Sequence, residues 1–270
     1  MPISKSEMHS YFFEDPKDHP IERNLSGTLM EYFYLKGSMN VKTNSQEVLN
    51  GCLLSGKLRL IYKQKTYELQ QFDFFFIPPE KDVFFEAYSQ FSDQCKFCLY
   101  RYKTDQKVSF NLEIEHYNPK KFISRGKFGS KGEITTYRTV WTAIKNKFFM
   151  SGFTNIPNES LKRGVITSVN LEQDEEGNIE IYSHIHPEYP EVYIMCIDDK
   201  KYGITQYLVN QQGDSICRDL SDGDGVFFPG NLGHSNFAKP FYKKLNYVMY
   251  MWIIPTFGKT EIVTPTTLRI

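Results

Sequence analysis

Across 270 residues, lysine plus arginine and aspartate plus glutamate balance at 32 each, so the formal net charge is zero. That balance gives no sign of a nucleic-acid or anionic-membrane partner, which would need a basic surplus, and the longest apolar runs fall far short of the roughly 20 residues of a membrane helix. Five cysteines are an odd and modest count rather than a disulfide framework, and the opening MPISKSEMHS has no apolar signal-peptide core, so the expected setting is soluble and cytoplasmic.

Residues 1–25 are polar and mixed, with three prolines, and read as an arm or a lead-in strand. From about residue 30 the chain becomes short apolar segments broken by Gly, Asn, Asp and Pro, the mark of an antiparallel β protein. GKLRLIY, KTYEL, FDFFFIPP, VFFEAY and KFCLYRY follow one another. Aromatics reach 16%, with 22 Phe and 18 Tyr, and these side chains pack well on a pleated surface. Helix is expected only in short pieces, as near Trp141–Lys147. The second half repeats the grammar with GVITSVNL, NIEIYSHIH, EVYIMCI, GITQYLV, GVFFPG and LNYVMYMWII.

The halves read as diverged copies of one unit. FDFFFIPP at 72–79 and DGDGVFFP at 222–229 each set an acidic turn before apolar residues and Pro, and each follows a strand ending in polar residues (YELQQ; ICRDLSD). Composition shifts to Lys, Gly, Asn and Ser between 115 and 150, which predicts two domains, 1–135 and 136–270.

Half of the six histidines lie in two segments of the second half. Residues i and i+2 of a strand share a face, so His184 and His186 can point inward while Ile185 packs outward. Pro187 to Pro190 makes a turn, and Glu191 opens the next strand, able to face the two imidazoles. His234 follows the turn Pro229-Gly230-Asn231-Leu232-Gly233. Three imidazoles and one carboxylate suit Zn, Mn, Fe, Co or Ni, and five- or six-coordinate versions leave positions open for water or substrate.

These segments resemble the two motifs of the cupin superfamily. His184-x-His186 is followed by four residues and Glu191, and Gly223, Pro229 and His234 keep the spacing of the later motif. Asn231 stands where that motif has Gly, and Ala238 where it often has Asn. A nearer resemblance is to the bicupin isomerases of 5-deoxyglucuronate and 5-keto-4-deoxyuronate. It rests on Gly177-Asn178, on His184, His186 and Glu191-Val192-Tyr193, on Gly203 and Gln206, on Asp222-Gly223-Asp224 and on the aromatic strand Leu245–Pro255. The resemblance implies an all-β bicupin, two jelly-roll (double-stranded β-helix) barrels side by side. It implies one divalent metal per chain in the second barrel, held by His184, His186, Glu191 and His234. Zinc is the expected ion, with manganese, iron or nickel compatible. The implied activity is aldose–ketose isomerisation of a sugar acid, and assembly into a homo-oligomer is compatible with it.

That reaction needs a general base within hydrogen-bond reach and a cation for the substrate carboxylate. Alternation through 179–186 sets Glu180 and Tyr182 on the face of His184 and His186, and Tyr193, two residues past Glu191, also points inward. Arg138, Lys162, Arg163 and Arg218 are candidate clamps. Rival activities are an iron dioxygenase and a sugar-binding cupin without turnover. Val83 stands where the first half would need its late histidine, so that half is expected to bind no metal. Cys95-x-x-Cys98, Cys196 and Cys217 read as buried free thiols, and His9, His19 and His116 as surface residues. The Gly-rich stretch 126–132 lacks the strand–loop–helix setting of a phosphate loop and reads as a linker.

Overall fold

Glu47–Ser55 shows how the sequence builds this molecule: seven consecutive residues, Val48 to Leu54, are buried, so both faces of the strand are covered. Val48, Asn50, Cys52 and Leu54 take one face; Leu49, Gly51 and Leu53 take the other. The computed structural model describes residues 2–25, 27–88, 94–103, 111–117, 122–128, 132–140, 149–155, 171–173, 179–181, 183–185, 187, 190–197, 204–238, 248–255 and 268–269. Trp141–Lys147 lies outside them.

The fold is all-β with antiparallel sheets throughout. In the first half, a six-stranded sheet runs in the order Glu113–Glu115, Phe74–Ile77, Glu47–Ser55, Gln94–Lys103, Thr28–Lys36, Ile21–Leu25. It faces a four-stranded sheet ordered Ser38–Lys42, Asp82–Ala87, Leu58–Tyr62, Lys65–Leu69. In the second half, a seven-stranded sheet is ordered Phe12–Phe13, Gly225–Phe228, Glu191–Ile197, Val248–Pro255, Phe149–Asn155, Gly132–Val140, Phe122–Phe128. Its companion is a five-stranded sheet, Ser215–Leu220, Ile204–Val209, Gly233–Ala238, His184–Ile185, Leu268–Arg269. Leu171–Gln173 and Ile179–Ile181 form a separate ribbon. Two closed barrels were expected. Among the described residues the sheets stay separate, and each half is a facing pair held by side chains rather than a ladder bonded all the way round, as jelly rolls allow.

Three apolar layers hold this together. Leu49, Leu53, Leu60, Phe75, Val83, Phe85, Phe97 and Leu99 fill the first half. Met195, Leu208, Ile216, Val226, Phe228 and Leu232 fill the second. Between the halves lie Met30, Tyr32, Cys52, Phe74, Cys98 and Tyr100 from one side and Val192, Ile194, Cys196 and Phe227 from the other. A Leu or Phe buried this fully contributes about 1.5–3 kcal/mol.

The internal repeat extends to individual hydrogen bonds. Asp73 Oδ2 accepts from the Gln70 N–H at 2.9 Å, and Asp224 Oδ2 from the Ser221 N–H at 2.7 Å. The Phe72 N–H donates to the Leu53 carbonyl as the Gly223 N–H does to that of Met195. Phe72 and Gly223 share a left-handed backbone, φ 70° and 88°. The same turn chemistry is therefore written twice.

The opening residues are more ordered than an arm. Ser4 caps a helix, Lys5–Ser10, through its Oγ and the Glu7 N–H, and Ile3, Met8, Tyr11 and Phe12 pack into the core of the second half. No helix among the described residues is long and apolar enough to cross a membrane.

Candidate metal centre

The double burial seen in Glu47–Ser55 recurs in Glu191–Ile197 and aims the site. Val192, Ile194 and Cys196 face the layer between the halves, so alternation turns Glu191, Tyr193 and Met195 into the second half. Opposite, His184 is the cross-strand partner of His234, a position whose side chains share one face. The Pro229–Leu232 turn, closed by Leu232 N–H to the Pro229 carbonyl, delivers His234.

The three side chains are at most 3% exposed. The His184 and His234 ring centroids lie 4.3 Å apart, and His234 Nε2 lies 3.6 Å from Glu191 Oε2. His234 Nδ1 meets the Leu232 carbonyl at 3.2 Å. A carbonyl only accepts, so that contact places the proton on Nδ1 and leaves Nε2 a lone pair on the Glu191 side, the tautomer a metal ligand uses. Tyr193 donates its hydroxyl to Glu191 Oε2 at 3.0 Å. Two donors on one ion at about 2.1 Å each sit roughly 3.0–3.4 Å apart, and the histidine–glutamate spacing of 3.6 Å is slightly wider than that. A carboxylate taken out of water between imidazoles calls for a cation. Among the described residues no group of three or more His, Cys, Asp or Glu is placed so that it could hold a metal ion, and His186, the fourth expected ligand, lies outside them.

The other expectations fare differently. Alternation through 179–186 assumed one strand. The structure has two pieces in different sheets, Ile179–Ile181 in the ribbon and His184–Ile185 in the five-stranded sheet, with Ser183 in neither. Glu180 pairs with Glu172 in the ribbon, so the shared-face argument for it fails. Tyr182 lies outside the described residues, as do Lys162 and Arg163. Arg138 is placed by its backbone alone, opposite Gly152. Arg218 binds Glu14 at 2.9 Å and stacks over Phe12, at the edge of the sheet rather than beside His234.

Cys95, Cys98 and Cys196 are buried free thiols as expected, but Cys217 is exposed, because Ile216 and Leu220 take the inner face of its strand. His9, His19 and His116 are exposed; His116 nonetheless holds buried Asp73 at 2.8 Å. Gln206, fully buried next to the His234 row, is a polar interior residue that no strand pattern singled out.

No family model matches the chain, and no curated protein matches it. Solved structures do. An IolB-like protein from Salmonella typhimurium LT2 is similar at a TM-score of 0.63 and 9% identity, covering 96% of this chain and 94% of that one. A glyoxylate-induced protein from Pseudomonas aeruginosa reaches 0.58 at 14% identity, with 92% and 82% covered. An oxalate decarboxylase, OxdC, from Bacillus subtilis reaches 0.52 at 12% identity, with 96% and 79% covered. These likenesses are of fold. They do not single out the isomerase family that the sequence motifs resemble.

Proposed function

We propose that this chain is a metal-dependent cupin that binds one divalent ion in its second half and takes a small oxygen-rich acid there, with an activity outside sugar isomerisation. The observation that carries this reading is the joint burial of His184, Glu191 and His234, with Glu191 3.6 Å from the lone-pair nitrogen of His234. His186 completes the ligand set, residues 136–270 form the metal-bearing domain, and residues 1–135 form a domain without ligands. The protein acts in the cytoplasm, as a monomer or homo-oligomer, on a small molecule rather than a nucleic acid or a membrane.

A divalent ion held by these residues would supply Lewis-acid polarisation of a ligand oxygen. The chain supplies the rest. Leu232 fixes the His234 ring, Tyr193 holds one Glu191 oxygen, and Phe228, its ring 4.8 Å from that of His234, walls the site against water. Elemental analysis of the full-length protein tests the reading, with about one ion per chain expected. Oxygen uptake with an iron-loaded sample then separates a dioxygenase from a binding protein. Protein that stays metal-free after incubation with zinc, manganese and iron overturns the proposal.

A narrower reading is aldose–ketose isomerisation of a deoxyuronate. Tyr193 favours it: its hydroxyl lies inside the site against Glu191, where it could pass a proton between neighbouring carbons. Glu180 and Tyr182 remain candidate bases only under this reading. Interconversion of 5-deoxyglucuronate or 5-keto-4-deoxyuronate by the zinc-loaded protein, without NAD or oxygen, would establish it. No turnover of either by metal-replete protein would discard it.

A further inference from the structure

We propose that Gln206 recognises a hydroxyl group of the ligand. The proposal rests on reading His184, Glu191 and His234 as the centre of a ligand site, and it adds a specificity residue to that site.

Gln206 is 0% exposed in the strand Ile204–Val209, whose buried residues alternate as Ile204, Gln206 and Leu208. Leu208 is the direct cross-strand partner of His234, and Gln206 that of Asn236. Directly opposed residues share a face, so Gln206 occupies the row next to His234 on the same interior face. Its amide nitrogen donates to the Ser235 carbonyl at 3.0 Å and to the Tyr207 carbonyl at 3.2 Å. Both bonds require N–H donors, which fixes the amide the right way round and spends its hydrogens on the backbone. The remaining atom, Oε1, is buried and accepts no hydrogen bond from the described residues. A fixed, dry, unspent acceptor beside a polar centre is what a donor group on a ligand would use.

The first half shows that the fold does not require this amide. Its matching row pairs Leu60 with Phe85 and Phe85 with Met39, all apolar. Where one copy of the repeat packs leucine, the other holds an amide with an open acceptor. A neutral acceptor takes a neutral donor, and an oxygen-rich acid offers its hydroxyls there.

The test is calorimetric titration of zinc-loaded full-length protein with D-glucuronate and with adipate, a carboxylate ligand without hydroxyls. Wild type is expected to prefer glucuronate. Gln206→Leu, the residue of the sister row, should weaken glucuronate binding by roughly 10- to 100-fold while metal content and adipate binding stay unchanged. Should Gln206→Leu fail to fold, Gln206→Met removes the acceptor and keeps an unbranched chain of similar length. Equal glucuronate affinity in wild type and variant overturns the proposal, and so does a wild type without preference for glucuronate. If wild type holds no metal, the metal reading falls, and the two-ligand comparison on that protein still decides for or against Gln206.

Discussion

The two halves run the same backbone around different interiors. In the second, His184 faces His234; at the matching pair in the first, Val41 faces Val83. Glu191 pairs with Phe228 where Leu49 pairs with Ile77, and Tyr193 pairs with Val226 where Gly51 pairs with Phe75. The bare Gly51 makes room for the Phe75 ring, which fills the space that in the other half belongs to the Tyr193 phenol. Gln206 stands where the first half has Leu60. One copy has closed its centre with hydrocarbon, and the other keeps imidazoles, a carboxylate, a phenol and an amide out of water. Burying such groups costs stability, and they all lie in the half to which the proposed ligand site belongs.

That contrast breaks or sharpens under substitution. The largest effect is expected at the late motif. His234→Ala should lower bound metal at least tenfold by elemental analysis, whereas Val83→Ala should leave metal content alone and cost about 1–3 kcal/mol of unfolding free energy. Unchanged metal in His234→Ala would remove the chief difference between the halves.

Next comes an exchange of interiors. Leu49→Glu puts an uncompensated carboxylate into hydrocarbon and should destabilise by about 3–5 kcal/mol in urea unfolding. Glu191→Leu in metal-free protein should be neutral or stabilising, since it removes a buried carboxylate. Equal losses from both would mean that Glu191 is a structural residue.

The smallest effect lies in the layer that joins the halves and its flank. Burial holds the thiols of Cys95 and Cys196 up at about 12. Both are neutral in the fold and ionise near pH 9 once unfolded, so stability is full below about pH 9 and is lost as pH climbs toward 12. Melting temperature against pH reads this directly. At pH 8 a thiol reagent should modify exposed Cys217 well before the other four.

Part of this was legible in the chain itself. His184, Glu191 and Tyr193 could be placed because a strand has a period of two, and His234 because Pro and Gly punctuate the turn before it. The opening helix was not seen, because its signal is Ser4 and Glu7 at capping-box spacing around a single buried residue, Met8, with no apolar stripe. The break between Ile181 and His184 is invisible to alternation, which says which face a residue takes and not which sheet its strand joins. Gln206 entered only through the family resemblance, because a polar residue on the buried face of an alternating strand leaves no mark in hydrophobic periodicity. Cys217 was taken as buried from its residue type, and its neighbours Ile216 and Leu220 decided otherwise.

The short strand Phe12–Phe13 has a consequence for synthesis. It pairs with Gly225 and Val226, and the Asp15 N–H binds Asp224 across 209 residues of chain. At about 5–20 residues per second, a ribosome needs roughly 10–40 s to make the partner after the opening strand has emerged. For that interval Met8, Phe12 and Phe13 travel as an unsheathed greasy strap, a natural handhold for a chaperone. A first half expressed by itself would keep that strap exposed permanently.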